Sequence, residues 1–113
     1  MGIKVISKNK RATYDYFLEQ KYEAGLSLKG TEVKSLRAGN CSMTEAFCSI
    51  DKNDEVWIHQ MTIAHYEFGN IQNHDETRNR KLLLNRSEIE SIKRSLATKG
   101  QTLVPTMVYF KGS

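Results

Sequence analysis

Two segments of this sequence concentrate positive charge without a single acidic residue. Residues 1–13 contain Lys4, Lys8, Lys10 and Arg11, and residues 77–87 contain Arg78, Arg80, Lys81 and Arg86. Clustered ammonium and guanidinium groups suit phosphate contacts, because binding releases the counterions condensed on a nucleic acid. A solvated basic face is the ordinary alternative on a small domain. The two clusters favour RNA or DNA as the partner.

A second candidate chemistry lies in the run His74-Asp75-Glu76, which puts an imidazole beside two carboxylates. Such groups can perform acid–base or metal-assisted hydrolysis. Adjacent loop residues rarely converge on one atom, however, so we favour a loop-anchoring role. The sequence also lacks the glycine motifs of nucleotide-binding enzymes and the H-E-x-x-H zinc motif. We therefore expect no enzyme, and a small hydrolase centred on His74 is the alternative.

Composition narrows the class of protein further. A length of 113 residues and a formal charge of +4 indicate a single, moderately basic domain over residues 1–113. We expect a cytoplasmic protein without a membrane partner, since the sequence has neither a long apolar run nor a signal peptide. Cys41 and Cys48 form no C-x-x-C pair and the three His residues are scattered. We expect no disulfide, no metal and no cofactor.

Alternating apolar and polar residues predict the strands that would position these side chains. Residues 22–28 have the period of a half-buried strand and are expected to pair with residues 14–18 in a hairpin. Residues 47–51 and 55–61 predict two strands joined by a polar turn. Residues 103–110 predict a last strand whose proline marks an edge or a bulge.

Two helices are predicted between these strands. Thr31 caps a short helix that ends at Gly39, and a capping box at residues 85–88 opens a second helix that ends at Gly100. Residues 68–79 predict an exposed loop of the kind that often carries function. The pattern is mainly β and favours an OB-fold-like small antiparallel β-barrel with a few packed helices, an architecture that often binds nucleic acid.

Two sets of side chains on these elements have more than one interpretation: the charged residues of the short helix and the aromatic residues of 14–22. Glu32, Lys34 and Arg37 on the short helix have the spacing of ordinary surface pairing. The aromatic residues of 14–22 could stack on bases, although strand spacing more often places them half in the core. A general single-strand binder that uses an aromatic barrel face is therefore a third functional candidate. Such a protein would prefer unstructured oligonucleotides.

Five segments of the chain carry recognisable motifs. They read NKRA at 9–12, YEAG at 22–25, GTEVKSLRAG at 30–39, DETRNRKLLL at 75–84 and KGQTLVP at 99–105. In this order and spacing, the set resembles the small protein B family, the bacterial proteins that bind transfer-messenger RNA. The resemblance extends from about residue 8 to residue 111. It implies an OB-fold barrel with packed helices and a role in trans-translation.

The resemblance also implies a set of partners. Family members bind the tRNA-like domain of transfer-messenger RNA near its elbow and help to deliver it to stalled ribosomes. The ribosome, chiefly its small subunit, is then a second partner. Elongation factor Tu and alanyl-tRNA synthetase would be reached only through the RNA. No bond is made or broken by the protein itself, and we expect a monomer.

The family's RNA-binding positions fall on a defined set of residues in this chain. By resemblance they are Glu23, Leu83 and Asn85, with Arg78, Arg80 and Lys81 in the neighbouring basic loop and Lys34 and Arg37 on the short helix. The basic side chains would contact phosphates, whereas Asn85 would bind a base edge or a ribose. Glu23 would accept from a base amino group or orient an arginine, and Leu83 would pack on an unstacked base.

Plain structural roles compete with two of these assignments. Asn85 is also the predicted cap of the second helix, and Leu83 could be a core leucine. By the same resemblance, Lys10, Arg11 and Tyr14 are possible ribosome-facing residues.

The chain departs from the family pattern at three places. Glu76 stands where the family usually has proline, and Thr13 stands where a basic residue is common. Family members also continue beyond residue 113 with another barrel strand and a basic tail. We therefore expect either a truncated chain or a sequence that omits the C-terminal segment, and a truncated chain would leave its last predicted strand with an open edge. Such a chain is expected to bind the RNA without starting trans-translation.

Overall fold

A computed structural model describes residues 2–11, 20–66, 73–98 and 102–111 of the chain. Within these ranges the strands are β1 (Ile3–Lys8), β2 (Gly25–Leu26), β3 (Cys41–Ser42), β4 (Phe47–Ile50), β5 (Val56–His59), β6 (Thr62–Ile63), β7 (Arg80–Leu83) and β8 (Met107–Lys111). The helices are α1 (Gly30–Arg37) and α2 (Arg86–Ala97). No helix in the described ranges is long and apolar enough to cross a bilayer.

The described strands form three antiparallel sheets. The largest has the order β2-β7-β5-β4, and the other two are the pairs β1-β8 and β3-β6. Backbone hydrogen bonds also join two strands to the segments that precede β8 and β7: Cys48 N on β4 donates to Leu103 O, and Ile63 N on β6 donates to Glu76 O, each at 2.9 Å. The predicted mainly β fold with two helices is confirmed. The OB-fold-like barrel that we also expected is not confirmed, since the described strands do not close into a barrel.

The core lies between these sheets and α1. Its buried apolar members are Leu36, Met43, Ala46, Ile58, Met61 and Ile63. Strand β5 shows how the sequence directs side chains inward, because Val56 and Ile58 are buried whereas the residues between and after them are only half-buried. Gln60 then adopts a left-handed backbone conformation with φ of 58°, and Met61 beyond it is fully buried.

The strand predictions had different outcomes. The hairpin of residues 47–51 and 55–61 is confirmed as β4–β5. Burial alternates over residues 22–28 as predicted, but only Gly25–Leu26 forms a strand, and the expected partner at residues 14–18 lies outside the described residues. The last strand begins at Met107, so Pro105 precedes it. Its partner is β1, which the sequence analysis missed.

The helix boundaries follow from their caps. Asn85 accepts from Glu88 N at 2.9 Å, so the capping box of α2 is confirmed. The C-cap of α2 is Thr98, and the predicted end at Gly100 lies outside the described ranges. Helix α1 is capped by Lys29 and not by Thr31 as predicted, because the Lys29 N–H donates to the Glu32 carboxylate at 2.7 Å.

Candidate nucleic-acid interface

Arg80 points into the protein and not toward a ligand. On β7, Arg80 and Leu82 face the core while Lys81 and Leu83 face outward. The Arg80 Nε donates to Glu32 Oε2 at 2.6 Å, and neither side chain is exposed to solvent. Its Nη1 donates to the Met61 carbonyl at 2.6 Å. The predicted phosphate contact is therefore corrected: Arg80 positions the surrounding backbone.

Arg78 belongs to the same cluster but lies closer to the surface. Its Nη2 donates to Glu32 Oε1 at 2.6 Å and its Nε donates to Glu32 Oε2 at 3.0 Å. A further bond from Nη2 reaches the Ser27 carbonyl at 3.2 Å. About a quarter of the Arg78 side chain is exposed. Arg78 can therefore offer only part of its guanidinium to a phosphate while it stays bound to Glu32.

Glu32 is the anionic centre of this cluster. Burial has the largest effect and raises the pKa of Glu32, but hydrogen bonds from Arg78, the Lys29 backbone and Arg80 together outweigh it. The net result is a pKa below the usual value, so the carboxyl group stays ionised. The predicted surface pairing of Glu32 with Lys34 and Arg37 is wrong, because Glu32 turns toward the core.

His74 anchors the loop that carries Arg78. The ring is 2% exposed. Its Nε2 lies 2.8 Å from the Ile63 carbonyl, which can only accept, so Nε2 carries a proton. Its Nδ1 lies 2.8 Å from the Thr31 hydroxyl. These two contacts join the loop to α1 and β6. In the described ranges, no group of three or more His, Cys, Asp or Glu side chains could hold a metal ion.

Glu23, Leu83 and Asn85 come together at one end of the β2–β7 pair. Gly25 lies opposite Leu83, Glu23 precedes Gly25 by two residues, and Asn85 follows Leu83 by two. Leu83 is 54% exposed and is therefore not a core leucine. A Cβ atom at Gly25 would lie 3.2 Å from the Leu83 Cβ, so glycine leaves room for this side chain. We call these three residues the Glu23–Leu83–Asn85 patch.

Asn85 carries a capping role and still offers a donor group. Its Oδ1 accepts from Glu88 N and, at 2.8 Å, from the Ser87 hydroxyl. The side-chain NH₂ group makes no hydrogen bond within the described part of the chain, and the residue is exposed. Asn85 can therefore cap α2 and donate to a base or ribose at the same time.

Two residues that sequence reasoning missed contact Glu23. The Tyr109 hydroxyl donates to Glu23 Oε2, and the Lys111 Nζ donates to Glu23 Oε1 at 3.2 Å. Both residues lie on β8, two positions apart, so they share one face of that strand. The strand pattern of residues 107–111 indicates that Tyr109 and Lys111 share a face. It does not indicate that this face meets Glu23, because Glu23 lies 86 positions before Tyr109 in the chain.

The remaining basic candidates lie on other elements. Lys81 faces outward and pairs with Glu55. Lys34 and Arg37 are exposed on α1, and their cationic groups lie 5.4 Å from the Tyr66 ring centroid and 5.9 Å from the Phe110 ring centroid. These two residues extend the basic surface beyond the patch, on the helix that packs against β6.

The predicted ribosome-facing residues are only partly described. Lys10 is exposed. Arg11 is also exposed, and its Nη1 lies 2.7 Å from Glu45 Oε1. Tyr14 lies outside the described residues. The structure thus places two of these three side chains at the surface.

The described residues define a class of small proteins in which antiparallel sheets and a short helix enclose a core and a mixed polar and apolar patch is exposed. Comparison with known proteins identifies the family. The model of the SmpB protein family matches residues 6–113. The chain therefore belongs to the SmpB family.

Individual relatives agree with this assignment. The SsrA-binding protein of Syntrophotalea carbinolica is 50% identical over 111 residues, which are 98% of this chain and 73% of that protein. The SsrA-binding protein of Lachnoclostridium phytofermentans is 52% identical over 112 residues, 99% of this chain and 72% of that protein. A chain of a solved structure described as "tmRNA-SmpB: a journey to the center of the bacterial ribosome" matches with a TM-score of 0.76 and 44% identity. That match covers 93% of this chain and 73% of the other.

Proposed function

We propose that this chain binds the tRNA-like domain of transfer-messenger RNA and helps to deliver it to stalled ribosomes, where incomplete polypeptides are tagged. One observation carries the proposal: the SmpB family model matches residues 6–113. The similar relatives are named SsrA-binding proteins, and the similar solved structure is described as tmRNA-SmpB in the bacterial ribosome. The basic surface of the chain is consistent with an RNA partner.

The Glu23–Leu83–Asn85 patch is the proposed centre of the RNA interface. Its carboxylate, apolar side chain and amide donor suit an unpaired base and its ribose, which is how proteins recognise RNA loops. Lys81, Lys34 and Arg37 supply cations for phosphates around it, and Arg78 contributes through its exposed edge.

The cluster of Glu32, Arg78 and Arg80 holds in place the strand β7, which presents Leu83 of the Glu23–Leu83–Asn85 patch. The Arg80 guanidinium donates to carbonyl groups of the loop before β7, including Glu76 O at 3.1 Å, and to the Met61 carbonyl in the turn after β5. Because β7 carries Arg80 and Leu83 on opposite faces, fixing the first residue also fixes the strand that presents the second.

The wider role follows from the same proposal. The ribosome, chiefly its small subunit, is a partner through Lys10, Arg11 and Tyr14. Elongation factor Tu and alanyl-tRNA synthetase act on the RNA and reach the protein only through it. The chain works as a cytoplasmic monomer with a single OB-fold-like RNA-binding domain over residues 1–113.

We also propose that the chain is not an enzyme. The hydrolase alternative needs His74 to meet a substrate, but its ring is 2% exposed and both nitrogens have partners inside the protein. The single-strand binder needs an aromatic surface over residues 14–22, most of which lies outside the described residues. Neither alternative has a specific observation in its favour.

A titration of the full chain tests the proposal. The tRNA-like domain of transfer-messenger RNA is the ligand, and an elongator tRNA and a single-stranded oligonucleotide of equal charge are the competitors, each at two salt concentrations. We expect salt-dependent binding with a clear preference for the tRNA-like domain. Equal affinity for all three RNAs, or tighter binding of the oligonucleotide, would exclude the proposed function.

A further inference from the structure

The pair β1–β8 forms a ribbon with one apolar face turned to solvent. Its register places Ile3 opposite Lys111 and Val5 opposite Tyr109. Paired residues of antiparallel strands share a face, so these four side chains lie together. Phe110, on the other face, packs against the core. We call the first four residues the outer ribbon face.

Exposed apolar side chains concentrate on this face. Ile3 is 57% exposed and Val5 is 44% exposed. Met107, two residues before Tyr109 on the same face of β8, is 42% exposed. These three are among five large apolar side chains that are exposed in the described ranges. Exposed apolar groups in contact with one another are a sign of an interaction site.

Glu23 joins the outer ribbon face to the Glu23–Leu83–Asn85 patch. It accepts from the Tyr109 hydroxyl and from Lys111 Nζ, although the side chains of Glu23 and Lys111 are 56% and 64% exposed. Exposed ion pairs contribute little to stability. The contacts therefore contribute little to the stability of the fold. Their main effect is to bring the Tyr109 ring and the Lys111 ammonium group together at the Glu23 carboxylate.

These three groups match the parts of one nucleotide. An aromatic ring stacks on an unstacked base, a carboxylate accepts from N–H groups at the base edge, and an ammonium group contacts a phosphate. Guanine carries two adjacent N–H donors on its Watson–Crick edge, which fit the two oxygens of a carboxylate. Each of those oxygens has lone pairs left beside its present donor.

We propose that Tyr109, Lys111 and Glu23 bind one unstacked guanine nucleotide of the RNA, with Val5 and Ile3 as the apolar bed beside the ring. This inference rests on the proposed function. It extends the interface from the Glu23–Leu83–Asn85 patch onto the outer ribbon face, and it assigns base stacking to Tyr109 and phosphate contact to Lys111.

Variants at Tyr109 separate the ring from its hydroxyl group. In titrations of the full chain with the tRNA-like domain, Tyr109→Leu removes the ring and is expected to weaken binding by about 5- to 150-fold. Tyr109→Phe keeps the ring and is expected to change affinity by less than about threefold, because one exposed hydrogen bond is lost. Urea unfolding of both variants should match the wild type. Equal affinity of Tyr109→Leu and the wild type would overturn the stacking role.

The phosphate contact is tested by salt dependence. Lys111→Gln should lower the slope of log affinity against log salt by about one unit. Lys52→Gln is the control, since Lys52 is exposed in the turn between β4 and β5 and lies outside both basic clusters. An equal change of slope in both variants would remove the specific contact at Lys111.

The base assignment is tested by changing single atoms of the RNA. Each unpaired guanosine is replaced in turn by inosine, which lacks the exocyclic amino group. One replacement should weaken binding to the wild type about tenfold, and the same replacement should have no further effect on Glu23→Gln. Additive effects at every position would overturn the assignment of the base.

Three further outcomes would overturn the nucleotide site in different ways. Concentration-dependent dimers that Tyr109→Leu abolishes would show that a second copy of the chain covers the outer ribbon face. Tight wild-type binding with no effect of any variant above would overturn the nucleotide site and leave the proposed function intact. Absence of wild-type binding to the tRNA-like domain would overturn the proposed function and the nucleotide site together.

Discussion

Arg80 and Glu32 form a fully buried ion pair, with 2.6 Å between Arg80 Nε and Glu32 Oε2. The two residues are 48 positions apart in the chain, and the pair joins α1 to β7. Arg78 binds the same carboxylate from the surface side. Basic residues that the sequence assigned to RNA thus hold the loop and strand that frame the proposed interface.

Replacement of Glu32 by Gln is expected to destabilise the protein strongly. It keeps the side-chain shape but leaves the Arg80 charge buried without its counterion, which costs about 3–5 kcal/mol. The control is Glu45→Gln, which removes an exposed pair with Arg11 that is worth at most about 1 kcal/mol. Urea unfolding measures both changes. Similar losses in the two variants would contradict the assigned role of Glu32.

The ion pair also predicts a dependence of stability on pH. The pKa of Glu32 is lowered in the folded protein from its ordinary value of 4.5. Its contribution is therefore fully present above that value and is lost as the pH falls through the lower, folded pKa. The difference in the free energy of unfolding between wild type and Glu32→Gln should narrow in acid. A difference that stays constant between neutral pH and about pH 3 would contradict this.

Local signals predicted the elements that local interactions determine. The polar turn between β4 and β5 and the capping box at Asn85 both involve residues a few positions apart, and both predictions are confirmed. The burial of Arg80 could not be predicted in this way. The run of residues 80–84 gives no clear sign of which members face inward, and the counterion Glu32 comes from a distant helix.

The same limit applies to the sheets and to the interface. Strand β1 pairs with β8 across nearly the whole chain, so no local pattern indicated its partner. The resemblance to a family supplied Glu23, Leu83 and Asn85, and the β2–β7 register explains how they meet. Tyr109 and Lys111 became visible only when β8 was placed beside Glu23.

Both thiols are expected to react slowly in the folded protein. Burial raises the pKa of Cys41 to about 11, although the nearby Arg80 charge opposes this, and burial raises the pKa of Cys48 to about 12. Since the thiolate is the nucleophile, iodoacetamide at pH 8 should label each cysteine at least about tenfold more slowly in the native protein than in urea. Mass spectrometry of the alkylated peptides measures the rates. Native labelling as fast as in urea would contradict the burial.

Replacement of His74 by Leu tests the anchoring of the loop. The change leaves the Thr31 hydroxyl and the Ile63 carbonyl without their partner, and buried polar groups left unpaired cost about 1–3 kcal/mol each. His65→Leu is the control, because His65 is exposed and contacts His74 only through its ring. Thermal unfolding should show a clear loss of stability for His74→Leu alone. A stable His74→Leu variant would show that the two hydrogen bonds do not anchor the loop.

The most direct test of the proposed interface compares two exposed apolar residues of the same sheet. Leu83 lies in the Glu23–Leu83–Asn85 patch and is 54% exposed, whereas Phe47 lies on the far strand β4 and is 42% exposed. The affinity of Leu83→Ser and Phe47→Ser for the tRNA-like domain is measured beside their stability. We predict that Leu83→Ser weakens binding by at least about tenfold, through loss of its contact with a base, and that Phe47→Ser stays within about twofold of the wild type. Equal losses in both variants, or no loss in Leu83→Ser, would contradict the location of the RNA site.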